Sequence, residues 1–232
     1  MFNWILNVLL IVLAVIYLYR FQEMDAVDCM AEASRVPISV QMSMPDPTLN
    51  TELSYSQITQ KFRNAHKSLQ ASPYLQALGV TEFALEMKFG MQFTEKMKSI
   101  SGNVCLVPES IIVDLALEQT IFLGKSSTRS KCQFKTLMDH EMRHVKINRD
   151  GVKKNISRFE AAARQGLALF GKQQGWGPYH YNDSQGKKEL LKEYMSAALN
   201  RTFKATEQEI DLQQAKVDTA QEYLRIGRSC RW

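Results

Sequence analysis

Two stretches near the middle of the chain alternate apolar and polar residues, the pattern of a strand with one buried face. The first covers residues 83–93, where six Phe, Leu and Met side chains share one face, and the second covers residues 111–117. Turn residues around Gly102 separate the two stretches, so the pattern predicts an antiparallel hairpin. A shorter alternating stretch, residues 36–44, predicts a further strand upstream.

Apolar residues at helical spacing predict helices over residues 56–69, 134–148 and 152–170. The sequence Asn-Arg-Asp-Gly at 148–151 is typical of a turn and is expected to separate the last two. Residues 171–186 are rich in glycine and aromatic residues and are expected to form a loop. Residues 187–225 predict a long, mostly helical tail. The order β-α-β-β-α-α-α predicts an α+β domain, with an antiparallel sheet packed against helices.

The first 21 residues are almost entirely apolar, interrupted only by Asn3, Asn7 and Arg20. A helix of this length spans roughly 28 Å, close to the bilayer core of about 30 Å. The pattern predicts a single-pass transmembrane signal anchor at 1–21 and a juxtamembrane linker at 22–35, followed by one folded domain at 36–232. A cleaved signal peptide is the alternative.

Composition and charge exclude several classes of protein. With 45% hydrophobic and 23% charged residues, the chain is not a wholly disordered protein. The net charge is +5, and residues 125–158 hold ten Lys and Arg but three Asp and Glu. A solvated basic surface explains this region, and attraction to an anionic substrate or envelope polymer is the alternative. No recognised nucleic-acid-binding module is present, so no nucleic-acid partner is predicted.

All four cysteines, Cys29, Cys105, Cys132 and Cys230, follow the apolar segment, and none forms a CxxC pair. We expect two disulfides in an oxidising compartment, which places the domain on the periplasmic or extracellular side of the cell membrane. Four buried thiols in a cytosolic domain are the alternative. Three pairings are possible, and our hypothesis joins Cys105 to Cys132 and Cys29 to Cys230.

The sequence His-Glu-Met-Arg-His at 140–144 is an HExxH motif. On a helix, residues four apart point into nearly the same direction, so His140 and His144 can bind one Zn²⁺ ion. Glu141 is then placed to act as the general base on a water molecule at the metal. The alternative is a surface helix that carries two solvated histidines.

The third zinc ligand is less clearly marked. Asp150 stands where some zinc proteases have a ligand, but Ile147 replaces the glycine of that pattern. If the chain reverses at residues 148–151, Glu160 comes to lie opposite the two histidines, and it is therefore the third ligand that we expect. Glu189 and Glu193 in the tail are further candidates.

Residues 103–148 resemble a family of bacterial secreted or envelope proteins described as zinc-dependent proteases. The likeness rests on Cys105, the long alternating strand, Cys132 and the HExxH motif. The β-α-β-β order before the motif is also similar to that family, so the likeness covers about the middle half of the chain. It implies a zincin-like fold and a Zn²⁺ cofactor held by the two motif histidines, with peptide or protein as the substrate.

Two functions from different classes follow. The first is a membrane-anchored zinc metallopeptidase with the site just described. The second is a non-catalytic envelope binding or assembly protein with a degenerate metal site, which acts through the long C-terminal helix. Bound zinc that depends on His140 and His144 distinguishes the first from the second.

Overall fold

A computed structural model of the chain describes residues 12, 29–65, 77–93, 96–98 and 103–230. These ranges form a mixed α+β protein with a sheet and helices, as the sequence pattern predicted. Within them, no helix combines the length and the apolar character needed to cross a membrane. The predicted anchor, apart from Val12, and most of the predicted linker lie outside the described residues.

The helices and strands of the described residues are numbered in chain order. Their bounds are α1 Cys29–Ala33, β1 Ile38–Ser43, β2 Thr48–Asn50, α2 Tyr55–Ala65, β3 Gly79–Phe93, β4 Lys96–Lys98, β5 Asn103–Cys105, β6 Pro108–Leu123, a 3₁₀ turn Lys125–Arg129, α3 Lys131–Gln174, β7 Tyr179–His180, α4 Tyr181–Gln214 and α5 Ala220–Ser229.

The chain divides into two compact units that share its longest helices and strands. The larger unit comprises residues 38–90, 112–164 and 197–232, and the smaller unit comprises residues 1–37, 91–111 and 165–196. The HExxH motif belongs to the larger unit.

Strand β6 is the centre of the main sheet. It pairs with β1, β2 and β3, and its pairing with β2 is parallel, with Thr48 opposite Thr120. The pairing of β3 with β6 confirms that the two alternating stretches are neighbours. The alternation along β6 matches its burial, because one face is buried in the larger unit, at Val113, Leu115, Leu117, Gln119, Ile121 and Leu123.

The smaller unit holds a separate antiparallel sheet in the order β4-β5-β7. Near it, the rings of Phe170 and Trp176 pack with centroids 5.1 Å apart, and both side chains are buried. The backbone N–H of Leu106 donates to the carbonyl oxygen of Trp176 at 3.1 Å. Residues 171–186, which were expected to be a loop, instead contain the end of α3, strand β7 and the start of α4.

Helix α3 runs without interruption through residues 148–151, so the predicted turn is wrong. Asn148 is fully buried and its Nδ2 donates to Oε1 of Gln119 at 2.9 Å, which uses the side chain for tertiary contact. Gly151 serves close helix packing, because a Cβ there would lie 2.5 Å from Cγ1 of Ile210. Both residues thus have a role inside the helix that local turn preference does not reveal.

Two disulfides form, as expected, but the expected pairing is wrong. Cys29 is bonded to Cys105 in the smaller unit, and Cys132 is bonded to Cys230 in the larger unit. The second bond joins the first turn of α3 to the residue that follows α5. Each bond therefore joins two cysteines of the same unit.

The predicted single tail helix is divided. Helix α4 ends at Gln214, and α5 begins at Ala220 after a short connection. Thr219 caps α5, since its side-chain oxygen accepts from the backbone N–H of Glu222 at 3.2 Å. This break places Asp218 in a non-helical position, two residues before the first residue of α5.

Candidate metal centre

The motif helix is oriented by its apolar face. Leu137 and Val145 of α3 are buried against the end of β6, in a cluster that also contains Ile226 of α5. Because the sheet fixes this face, the face that carries His140 and His144 points to the connection between α4 and α5. Both imidazoles are buried, and their rings lie 4.9 Å apart at the centroids.

Asp218 completes a group of three side chains that could hold a metal ion. The Nε2 atoms of His140 and His144 lie 3.2 Å apart, and Oδ1 of Asp218 lies 3.4 Å and 3.2 Å from them, respectively. The three atoms thus form a nearly equilateral triangle. The Asp218 side chain is only 3% exposed, so the carboxylate is held here by the fold.

The other ring nitrogen of each histidine faces a hydrogen-bond acceptor. Nδ1 of His140 lies 3.3 Å from Oε1 of Glu222, and Nδ1 of His144 contacts Oε1 of Gln214. Donation from Nδ1 of His144 to Gln214 leaves the Nε2 lone pair free, which is the tautomer that a metal ligand needs. Nδ1 of His140 also lies 2.8 Å from Nη2 of Arg143, which can only donate, so this nitrogen faces a donor as well as an acceptor. Arg143 and Arg225 both donate to Oε1 of Glu222.

Tyr223 fixes the carboxylate of Asp218. Its hydroxyl donates to Oδ1 at 3.0 Å, the same oxygen that faces both histidines. Burial alone would raise the pKa of Asp218, but hydrogen bonds with His140, His144 and Tyr223 outweigh it and hold that pKa far below its ordinary value. Burial and the neighbouring Asp218 raise the pKa of Tyr223, which therefore stays a hydroxyl donor.

The group carries negative charge that attracts a cation. Burial opposes the charged form of His144, yet the hydrogen bond and charge of Asp218, with the charge of Glu141, raise its pKa above the ordinary value. His144 therefore binds a proton more tightly than an isolated histidine does. A metal ion that binds there replaces that proton, as is usual for histidine ligands.

Glu141 lies beside this group without belonging to it. Its side chain is buried, and Oε2 accepts from the Thr81 hydroxyl at 2.7 Å. Burial raises the pKa of Glu141, while the nearby His144 and His140 act in the opposite direction and lower it. A carboxylate with a raised pKa is a better proton acceptor than an exposed one.

A glycine gives Glu141 its space. A Cβ atom at Gly79, the first residue of β3, would lie 2.6 Å from Oε1 of Glu141 and 3.0 Å from Cδ2 of Leu123. Such contacts are shorter than van der Waals separation. The start of β3 therefore reaches the motif helix closely only because residue 79 has no side chain.

The expected third ligand, Glu160, is not part of the group. It lies 16 residues after His144 on one continuous helix, which corresponds to about 24 Å along the axis. Its Oε1 pairs instead with Arg164 at 2.9 Å, and the side chain is 45% exposed. The expectation failed because it required the chain to reverse at residues 148–151.

The other candidate ligands are also engaged elsewhere. Asp150 pairs with Lys146 one turn before it on α3, and both side chains are exposed. Glu189 pairs with Lys192 at 2.9 Å. Glu189 and Glu193 belong to the smaller unit.

Sequence reasoning did not single out Asp218, although one signal was present. Thr219 and Glu222 have the spacing of a capping box, Thr-x-x-Glu, which marks the first turn of a helix. That pattern predicts a break in the tail helix at Asp218 and a non-helical carboxylate next to it. It gives no indication that this carboxylate meets the HExxH motif.

Comparisons with protein-family models, curated proteins and solved structures find no match to this chain. The likeness of residues 103–148 to bacterial zinc-dependent proteases therefore stays a prediction.

Proposed function

We propose that this protein is a zinc metallopeptidase of zincin-like fold, with His140, His144 and Asp218 as zinc ligands and Glu141 as general base. The observation that carries the proposal is the triangle of two Nε2 atoms and one Oδ1 atom, with edges of 3.2, 3.2 and 3.4 Å. Three protein ligands with a further position left for water are typical of catalytic zinc.

The donor set favours zinc over magnesium and calcium, which prefer oxygen ligands. Two imidazole nitrogens and one carboxylate oxygen match the three protein ligands of catalytic zinc. The same donor set is also used by non-haem iron, so metal analysis has to distinguish zinc from iron.

The contacts behind the ligands support the same assignment. Gln214 accepts from Nδ1 of His144, Glu222 lies 3.3 Å from Nδ1 of His140, and Tyr223 donates to the Asp218 carboxylate. Such outer partners fix ring orientation and raise ligand basicity in zinc sites. A solvated pair of surface histidines, the alternative for an HExxH motif, would be exposed, whereas His140 is 3% and His144 6% exposed.

Glu141 is suited to take and return the proton in hydrolysis. Thr81 occupies Oε2, so Oε1, which faces Gly79, is the atom left to accept a proton from the attacking water. When bound, zinc acts as a Lewis acid that lowers the pKa of water and polarises the substrate carbonyl. The water oxygen bonds to the carbonyl carbon, the C–N bond breaks, and Glu141 passes the proton to the leaving amine.

We also propose that the enzyme is anchored in a membrane through residues 1–21 and faces the periplasm or exterior. The support is the apolar character of this segment together with two disulfides, Cys29–Cys105 and Cys132–Cys230, which persist in oxidising compartments. Thiol alkylation of intact cells under trapping conditions tests this placement. Four freely alkylated thiols would contradict it.

The central experiment pairs metal analysis with peptide cleavage on the purified full chain. The wild type should contain one zinc per chain and cleave members of a broad peptide library. Glu141→Gln should retain zinc, because the residue is not a ligand, and should lose roughly 10²–10⁴-fold in turnover.

Glu160→Gln is the matched control, since it is the same substitution on the same helix at an exposed position. It should change neither zinc content nor turnover. Absence of bound zinc, stoichiometric iron in its place, or equal cleavage by wild type and Glu141→Gln would contradict the proposal.

A further inference from the structure

A cavity of about 390 Å³ lies beside the candidate metal centre in the larger unit. His140 and Glu141 form part of its wall, so whatever occupies it lies next to the groups that would carry out hydrolysis. The volume is within the range of about 300–1,000 Å³ that ligand sites occupy. Most of the remaining wall is apolar, with large side chains from Leu78, Leu137, Leu224 and Ile226.

The wall offers little to a charged occupant. Within the part of the chain that the structure describes, its polar side chains are those of His140, Glu141 and Tyr223, and no Lys or Arg lines it. A charged side chain would lose its hydration there without gaining a salt-bridge partner, while an apolar one gains from leaving water.

Two glycines belong to the wall. Gly79 lies on β3 next to Glu141, and Gly227 lies on α5. Gly227 is exposed, and a Cβ atom there would meet no neighbouring heavy atom within 4 Å. The α5 side of the wall therefore has space for a larger side chain at position 227.

We propose that this cavity is the specificity pocket of the enzyme and binds a large apolar side chain, such as Phe, Leu or Met, adjacent to the peptide bond that is cleaved. The inference rests on the proposed peptidase function, because only then does a substrate side chain have to lie beside Glu141. The basic residues of 125–158 do not line the pocket, so they do not select its occupant.

Two substitutions change the pocket and each has a matched control. Gly227→Leu adds volume at the pocket edge, and Gly186→Leu makes the same change at another helical glycine whose Cβ would meet no neighbouring atom. Leu224→Asp places a charge in the wall. Leu212→Asp makes the same change at a residue outside the wall that is also exposed, 67% against 58%.

The first experiment measures binding without catalysis. The metal-free full chain is titrated with the N-acetyl amides of Phe, Leu, Ala and Asp, followed by ligand-observed NMR. The Phe and Leu amides should bind at least roughly 10-fold more tightly than the Ala amide, as expected for an apolar pocket. Gly227→Leu and Leu224→Asp should abolish the difference, and both controls should keep it. The proposed specificity pocket would be contradicted by equal binding of all four amides. It would also be contradicted if the preference for the Phe and Leu amides were unchanged in both Gly227→Leu and Leu224→Asp.

The second experiment measures kcat/KM for peptides that differ only in the residue beside the cleaved bond. The wild type should prefer Phe and Leu, and Gly227→Leu should shift the preference to Ala by roughly 10-fold or more. Cleavage without this preference overturns the pocket and leaves the peptidase function in place. Selective binding of the Phe amide without any cleavage would instead reject the peptidase function and with it the pocket's role in specificity.

Discussion

Gly79 and Glu141 approach so closely that a Cβ atom on the glycine would lie 2.6 Å from Oε1 of the glutamate. The two residues are 62 positions apart in the sequence and belong to β3 and α3. Oε2 of Glu141 is held by Thr81, two residues further along the same strand, at 2.7 Å. The first three residues of β3 therefore support the Glu141 carboxylate, which we propose as general base.

Replacement of Gly79 by Ala should lower kcat by roughly 10–100-fold, because the methyl group displaces the Glu141 carboxylate by a fraction of an ångström or more. Zinc content should stay at the wild-type level, since no ligand moves directly. The measurements are steady-state kinetics and metal analysis. Gly90→Ala is the control on the same strand, because a Cβ there meets no atom within 4 Å; equal kinetics for the two variants would contradict the proposed role of Gly79.

Replacement of Asp218 by Asn should weaken zinc binding by more than the roughly 10–100-fold typical of outer partners, because a charged ligand becomes a neutral amide. Competition with a chromophoric chelator measures the affinity. Asp211→Asn, an exposed position on α4, serves as the control and should bind zinc as the wild type does. Unchanged affinity in Asp218→Asn would remove Asp218 from the ligand set.

Replacement of Glu222 by Gln should lower zinc affinity by roughly 10–100-fold while leaving α5 intact. Gln also fits the capping box with Thr219, so the helix start is preserved. The change removes the negative charge that lies behind His140 and that also pairs with Arg143 and Arg225. Circular dichroism checks the fold, and competition with a chelator measures the zinc affinity. The same affinity as wild type would show that the contact does not support the ligand.

Removal of the Cys132–Cys230 bond by a double Ser substitution should reduce both stability and zinc affinity. The bond closes a loop of 98 residues, for which chain entropy gives about 4–5 kcal/mol of stabilisation. It also ties the end of α5, the helix that carries Glu222 and Tyr223, to the first turn of α3.

The Cys29–Cys105 bond provides the comparison, since it lies in the other unit. Its removal should reduce stability in denaturant titrations but leave zinc affinity at the wild-type value. If both double variants lose zinc to the same degree, the Cys132–Cys230 bond has no particular role in holding the metal ligands in place.

Replacement of Gly151 by Ala should destabilise the protein by roughly 1–3 kcal/mol, because the methyl group would overlap the side chain of Ile210. Gly186→Ala, at an open helical position, should instead stabilise it by up to about 1 kcal/mol. Thermal denaturation of both variants measures the difference. A more stable Gly151→Ala protein would exclude close helix packing at this position.

The sequence pattern predicted the elements that local periodicity determines. The alternation over 83–93 and 111–117 corresponds to β3 and β6, since burial of one strand face leaves a period of two. The HExxH spacing placed His140 and His144 on one face of a helix for the same kind of reason. These features depend on neighbours along the chain.

The rest of the site depends on residues distant in sequence. Asn148 and Gly151 have strong turn preference, but burial against Gln119 and Ile210 overrides it and continues the helix. Asp218 is 74 residues after His144, so no spacing pattern links the two. Cysteine pairing has the same character, because four cysteines allow three connectivities that only the fold distinguishes.

The separation of Asp218 from His144 by 74 residues has a consequence for biosynthesis. A ribosome that has completed the HExxH motif has made only two of the three proposed ligands. A prematurely terminated product that ends at Gln214 keeps the whole motif but cannot form the three-ligand site. Zinc capture at this site would therefore follow translation of Asp218, so fragments that stop before it would carry less metal than folded protein that contains it.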